Sequence, residues 1–175
     1  MYVFTVRLAD ADRAIYETLV LRVAQHPSES PEYLVARVMA YCLEYVEGIS
    51  FSKGLSDPDE PAILVRDLTG LIQTWIEVGM PEAARLHRAA KAARRVVVYV
   101  HREMEAWLAR LAGEHIHRAE ALEIYVLDRD LVAQVVARLA RRMEFDLSVS
   151  ERSLYVSMGD TTLTGTVEAR RLTPG

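Results

Sequence analysis

The chain has 175 residues, 51% of them apolar and 26% charged, a composition that can build a core and excludes a disordered or low-complexity chain. Its formal net charge of −4 argues against a protein that coats nucleic acid non-specifically, because such binding neutralises phosphates with Lys and Arg. The one cysteine, Cys42, excludes an internal disulfide and a cysteine-built zinc site, and its apolar setting reads as a small buried hydrophobe.

Tyr2 to Leu8 alternates Val3, Thr5 and Arg7 with Tyr2, Phe4, Val6 and Leu8, which predicts a strand. Asp12 stands where a cap would open a helix from about Arg13 to Ala24, with Ile15, Leu19, Leu21 and Val23 among its apolar positions. The turn His26 to Glu32 feeds a second helix running to about Glu47, apolar on a wide arc and therefore mostly buried. Gly48 ends it, Ile49 to Ser52 is a short strand, and Gly54 to Pro61 is a loop. Ala62 to Val65 is open between strand and helix.

Leu71 to Val78 is a strand ended by Gly79-Met80-Pro81, and Pro81 opens a helix to about Arg94. Arg95 to His101 is a β-branched strand, followed by a helix from Glu103 to Leu111. Glu123 to Leu127 is a strand and Leu131 to Leu139 a helix. Met143 to Val149, Ser153 to Met158 and Thr161 to Ala169 form an antiparallel meander with tight turns. The order predicts one α/β (α+β mixed) domain over 1–175: a mixed sheet flanked by helices, with the meander extending that sheet or lying beside it. Met1 to Asp10 lacks the basic start and apolar run of a signal peptide, and no stretch is long enough to span a bilayer, so the expected location is the cytoplasm.

The chemistry concentrates between Glu29 and Lys91. Glu77 shares a strand face with Leu71, Gln73 and Trp75, near the end of a strand expected to be central. A buried glutamate needs a partner or a metal; a salt bridge to an arginine, or a strand end that reaches solvent, would also account for it. Asp59 and Glu60 lie in a Pro-rich loop and alone read as surface chemistry. Glu32 heads a stripe of Val35, Met39, Cys42 and Val46, with Glu29 one turn earlier; stabilisation of the helix dipole explains an acid there equally well. Lys91 is the only lysine besides Lys53 and borders an apolar stripe; a basic stripe of this kind is usually solvated. Arg85, Arg88, Arg94 and Arg95 are candidates for a local basic patch. His115-Ile116-His117 is too small a set for a metal, and no phosphate loop, dinucleotide fingerprint or nucleophile elbow occurs.

Three segments in order, His26-Pro27-Ser28-Glu29, then Phe51-Ser52-Lys53-Gly54-Leu55 running into Asp59-Glu60-Pro61, then Trp75-Ile76-Glu77-Val78-Gly79-Met80-Pro81, resemble the YaeQ family of bacterial proteins. The likeness covers essentially the whole chain and is strongest from His26 to Pro81. It implies a variant of the PD-(D/E)xK, restriction-endonuclease-like fold. It also implies a metal-dependent nuclease with Mg²⁺ or Mn²⁺ held by Glu77 with Asp59 or Glu60. Pro58-Asp59 resembles the first motif and Glu77 the second acid. The lysine expected two residues after Glu77 is replaced by Gly79, which leaves Lys91 on the following helix for that role, and Glu29 or Glu32 for the helical acid. A non-catalytic module that binds nucleic acid or a protein partner in a regulatory role fits the resemblance as well. So does an ion-pair network without chemistry.

Overall fold

The structure is a computed structural model that describes residues 1–52 and 60–172. In chain order its elements are β1 (Tyr2–Asp10), β2 (Ile15–Val23), α1 (Pro31–Leu43), β3 (Ile49–Phe51), β4 (Ile63–Arg66), β5 (Ile72–Val78), α2 (Ala83–Ala92), β6 (Arg95–Val100), α3 (Glu105–Ala112), β7 (Glu123–Leu127), α4 (Arg129–Val136), β8 (Arg142–Ser150), β9 (Ser153–Met158) and β10 (Thr161–Arg170). A 3₁₀ turn at Ala119–Ala121 precedes β7. The chain divides into two compact units: Met1–Val35 with Leu127–Glu168, and Ala36–Val126 with the segment from Ala169 on. Among the described residues no helix is long and apolar enough to cross a membrane.

In the first unit the strands run in the order β2-β1-β8-β9-β10. β1 and β8 pair in parallel from Val3 opposite Arg142 to Asp10 opposite Val149, and the other pairs are antiparallel. The meander therefore joins the N-terminal hairpin. The segment expected as a helix from Arg13 to Ala24 is the strand β2, paired with β1 from Tyr2 opposite Val23 to Asp10 opposite Ile15. The physical reason is the period: Ile15, Leu19, Leu21 and Val23 differ by even steps, which puts them on one face of a strand, and Leu19, Leu21 and Val23 are buried. Asp12 caps no helix. Its carboxylate accepts from the backbone N–H groups of Glu151 and Arg152 in the turn after β8.

The second unit orders its strands β7-β6-β5-β4-β3. β3, β4 and β5 are antiparallel neighbours, so the undecided stretch from Ala62 is a strand; β5, β6 and β7 are parallel, and α2 and α3 form the crossovers. β5 thus has a neighbour on each side. The register sets Trp75 opposite Val96 and Glu77 opposite Val98, on the face that packs with Leu86, Trp107 and Ile124 in one apolar cluster. Burying each such large side chain contributes about 1.5–3 kcal/mol. α1 stops at Leu43, short of the expected Glu47, and α2 begins at Ala83, with Pro81 just outside it.

Gly165 of β10 lies against α4, and a Cβ there would meet Leu131 Cβ at 2.8 Å and Asp128 Cβ at 3.0 Å. Gly165→Ala should therefore destabilise the first unit by about 1–3 kcal/mol. Urea unfolding followed by far-UV circular dichroism checks this, and an unchanged midpoint would mean that α4 yields freely.

Candidate functional site

Glu77 is 6% exposed although it carries a carboxylate. Two donors converge on its Oε1: the Trp75 indole Nε1–H at 2.6 Å and Arg85 Nε at 2.7 Å. The strand period puts Trp75 beside Glu77, and the first turn of α2 brings Arg85 back over them, its guanidinium carbon 5.8 Å from the centre of the Trp75 ring. Arg85 Nη2 also donates to the Glu60 carbonyl at 2.6 Å, which ties the end of the loop to the strand acid. Burial pushes the Glu77 carboxyl above its usual range, outweighing the hydrogen bond from Trp75 and the charge of Arg85.

The other expected site residues fall as follows. Glu60 is half-buried beside Arg85, and Asp59 lies outside the described residues. Lys91 is exposed on the last turn of α2. The charge acting on Glu77 is that of Arg85, whereas the charge of Lys91 acts on His87. Glu29 and Glu32 belong to the first unit. Glu29 closes the turn before α1, its Oε1 accepting from the His26 N–H at 3.1 Å; Glu32 is exposed in the first turn of α1. Gly79, at the missing lysine position, has φ +109° with open space around it, so the backbone there, rather than any neighbour, opposes a side chain. Among the described residues no group of three or more His, Cys, Asp or Glu side chains is placed to hold a metal ion.

Sequence reasoning missed a second polar system, on the opposite face of β6 and β7. Arg95 Nη1 donates to Glu44 at 2.5 Å, and its Nε and Nη2 grip Glu123 at 2.6 and 2.9 Å. Tyr99 donates to Glu44 at 2.6 Å and Tyr125 to Glu123 at 2.8 Å. Burial and then the Glu44 carboxylate push the Tyr99 phenol well up. Burial would raise Glu123, but its bonds from Arg95 and Tyr125 together hold it below its usual range. The available signal was the even spacing of Arg95 with Tyr99 and of Glu123 with Tyr125, which puts each pair on one strand face. Arg85 and Arg95, two members of the expected basic patch, are thus each committed to carboxylates.

Two stability tests follow from Glu77. Arg85→Met should cost about 3 kcal/mol by leaving a buried carboxylate uncompensated, and Arg85→Met/Glu77→Gln should recover most of it. Because the folded-state pKa of Glu77 is raised above 4.5, the native state binds the extra proton, so this group's contribution is full below pH 4.5 and is lost as pH rises through the raised value. Glu77→Gln should accordingly gain on wild type, in urea midpoint, as pH rises from 4.5 towards neutrality. Parallel pH profiles for the two proteins would refute the assignment.

A family model described as "YaeQ protein" matches residues 1–167. The YaeQ proteins of Escherichia coli (strain K12) and Salmonella typhi are 29% and 28% identical over 159 residues, each alignment covering 90% of this chain and 87% of the relative. The crystal structure of YaeQ protein from Pseudomonas syringae superposes with a TM-score of 0.89 at 27% identity, over 99% of this chain and 97% of that one. That of YaeQ protein from Xanthomonas axonopodis pv. citri gives 0.86 at 30% identity, over 97% of each chain. With segments from His26 to Pro81 resembling the family, its model spanning both compact units and two of its crystal structures matching the fold, the chain belongs to the YaeQ family.

Proposed function

We propose that the chain is a metal-dependent phosphodiesterase acting on nucleic acid, with a PD-(D/E)xK nuclease-like core in its second unit and Glu77 as the central acid. The observation that carries this reading is the state of Glu77: a buried carboxylate whose two donors both bind Oε1 and still leave its proton affinity raised. A bound cation would stabilise the ionised form that burial disfavours. Its oxygens are the ligand type that Mg²⁺ and Mn²⁺ prefer. Glu77 would hold the ion with Asp59 or Glu60. A bound divalent ion would lower the pKa of a water and polarise a phosphoryl oxygen. Arg85, rather than Lys91, is the cation at the acid, and a guanidinium is suited to the charge that grows on phosphate oxygens in the transition state. The antiparallel β4–β5 pair followed by parallel β6 and β7 agrees with a nuclease-like core. A lone buried thiol, Cys42, suits the cytoplasm.

A second reading is a non-catalytic module of the same fold that binds nucleic acid or a protein partner in a regulatory role. It is favoured by the ion pair itself, since Arg85 already answers the charge of Glu77 without a metal.

Titration calorimetry with Mg²⁺ and Mn²⁺ separates the two. The enzyme reading expects wild-type binding that falls at least about tenfold in Glu77→Gln, followed by metal-dependent cleavage of a DNA or RNA substrate by the wild type alone. A wild type that ignores millimolar metal, with and without oligonucleotide, sinks the enzyme and leaves the module.

A further inference from the structure

Arg85 and Arg95 are spent on carboxylates, but the cations that follow along α2 are not. Arg88, Lys91 and Arg94 are exposed, and among the described residues none of them, nor Arg118, forms an ion pair. The chain as a whole is acidic, so an unanswered cationic cluster is not a by-product of composition.

The cluster is held in place by its own hydrogen bonds. Arg118, in a left-handed conformation at φ +51°, donates through Nη2 to the carbonyls of Ala90 at 2.7 Å and Ala93 at 2.8 Å, and through Nη1 to Arg94 at 3.3 Å. It thereby clamps the segment His115–Arg118 onto the C-terminal end of α2, where the helix dipole favours a cation. Further back, the His117 backbone N–H donates to His87 Nδ1 at 2.9 Å. The His115 and His117 rings lie 5.2 and 6.2 Å from that of His87. Arg94, His117 and Arg118 line one small cleft.

Three imidazoles together invite a metal reading, but the hydrogen bond excludes it. An Nδ1 that accepts from a backbone N–H puts the proton on Nε2; a metal at Nε2 would require a proton on Nδ1, where the donor already sits. Partial burial, then the charges of Lys91, His115 and His117, hold the His87 imidazole below its usual value. What the face offers is the cations Arg88, Lys91 and Arg94 beside the Nε2–H of a neutral His87, which is chemistry for an anion.

We infer that the face formed by the last turns of α2 and the His115–Arg118 segment docks the phosphate backbone of a nucleic acid. Arg88 and Lys91 stand three positions apart on α2, and Arg94 follows just past its end at Ala92; a duplex presents one phosphate charge per about 1.7 Å of axis, so a row of cations meets several of them. A protein partner is disfavoured, because stable protein interfaces need an apolar centre and the exposed large apolar side chains of this chain, such as Leu68, Leu71 and Tyr155, lie elsewhere in the sequence. The inference rests on the nucleic-acid reading above for the identity of the anion, but it requires neither a metal nor Glu77.

The test is fluorescence anisotropy with a labelled DNA duplex in EDTA, so that metal and cleavage play no part. Wild type should bind, with affinity falling steeply between about 50 and 200 mM salt. Arg88→Gln/Lys91→Gln/Arg94→Gln should bind at least about tenfold more weakly, with a salt slope smaller by roughly 2–3. Arg129→Gln/Arg138→Gln/Arg142→Gln, the same charge change on exposed residues of the first unit, should keep both. The inference is overturned by a wild type that does not bind, by a triple variant on α2 that matches the other triple variant, or by polyglutamate displacing the duplex as well as unlabelled duplex does. Each of those results leaves metal binding at Glu77 where calorimetry puts it, and loss of the metal would leave this face intact.

Discussion

The second unit is organised around charge taken out of water. An ionised carboxylate on a middle strand costs several kcal/mol unless donors meet it, and unpaired charge is the most expensive thing a core can contain. Glu77 on one face of the strands and Glu44 on the other both face this penalty, and each is answered by an arginine and an aromatic side chain. The two solutions differ in completeness. Glu44 and Glu123 share Arg95 with two phenols, and the bonds are spread over both oxygens of each acid. At Glu77 both donors take one oxygen, and desolvation still wins.

This division also sorts the cations. Arg85 and Arg95 are held by carboxylates of the sheet, whereas among the described residues Arg88, Lys91 and Arg94 form no ion pair and are exposed. A count of basic residues in the sequence does not separate the two groups, because Arg85 and Arg88 are three positions apart on one helix. Only the direction in which each points assigns one to an acid and the other to solvent.

Much of the second unit was legible in the sequence for a simple reason: its strands are β-branched runs bounded by glycine and proline, and β5, α2, β6, α3 and β7 all stand where period and punctuation put them. The alternation along β5 likewise sets Trp75 and Glu77 on one face, as read. β2 failed because Asp12 offered a plausible cap and the apolar spacing from Ile15 to Val23 was taken as helical, although its even steps carry a strand's period. The arginine partner of Glu77 was open in kind and invisible in identity, since it depends on how the first turn of α2 returns over the strand. Glu44 lay hidden at the end of an apolar helix, its partners Arg95 and Tyr99 51 and 55 residues away.

The turn after β5 has a consequence for where such a site finds its positive charge. At Gly79 the chain holds φ +109°, a region that costs any residue with a side chain about 1 kcal/mol or more. A side chain placed there would distort the bend that sends the chain from strand to helix. A positive charge beside Glu77 therefore comes from the helix that follows, where Arg85 supplies it.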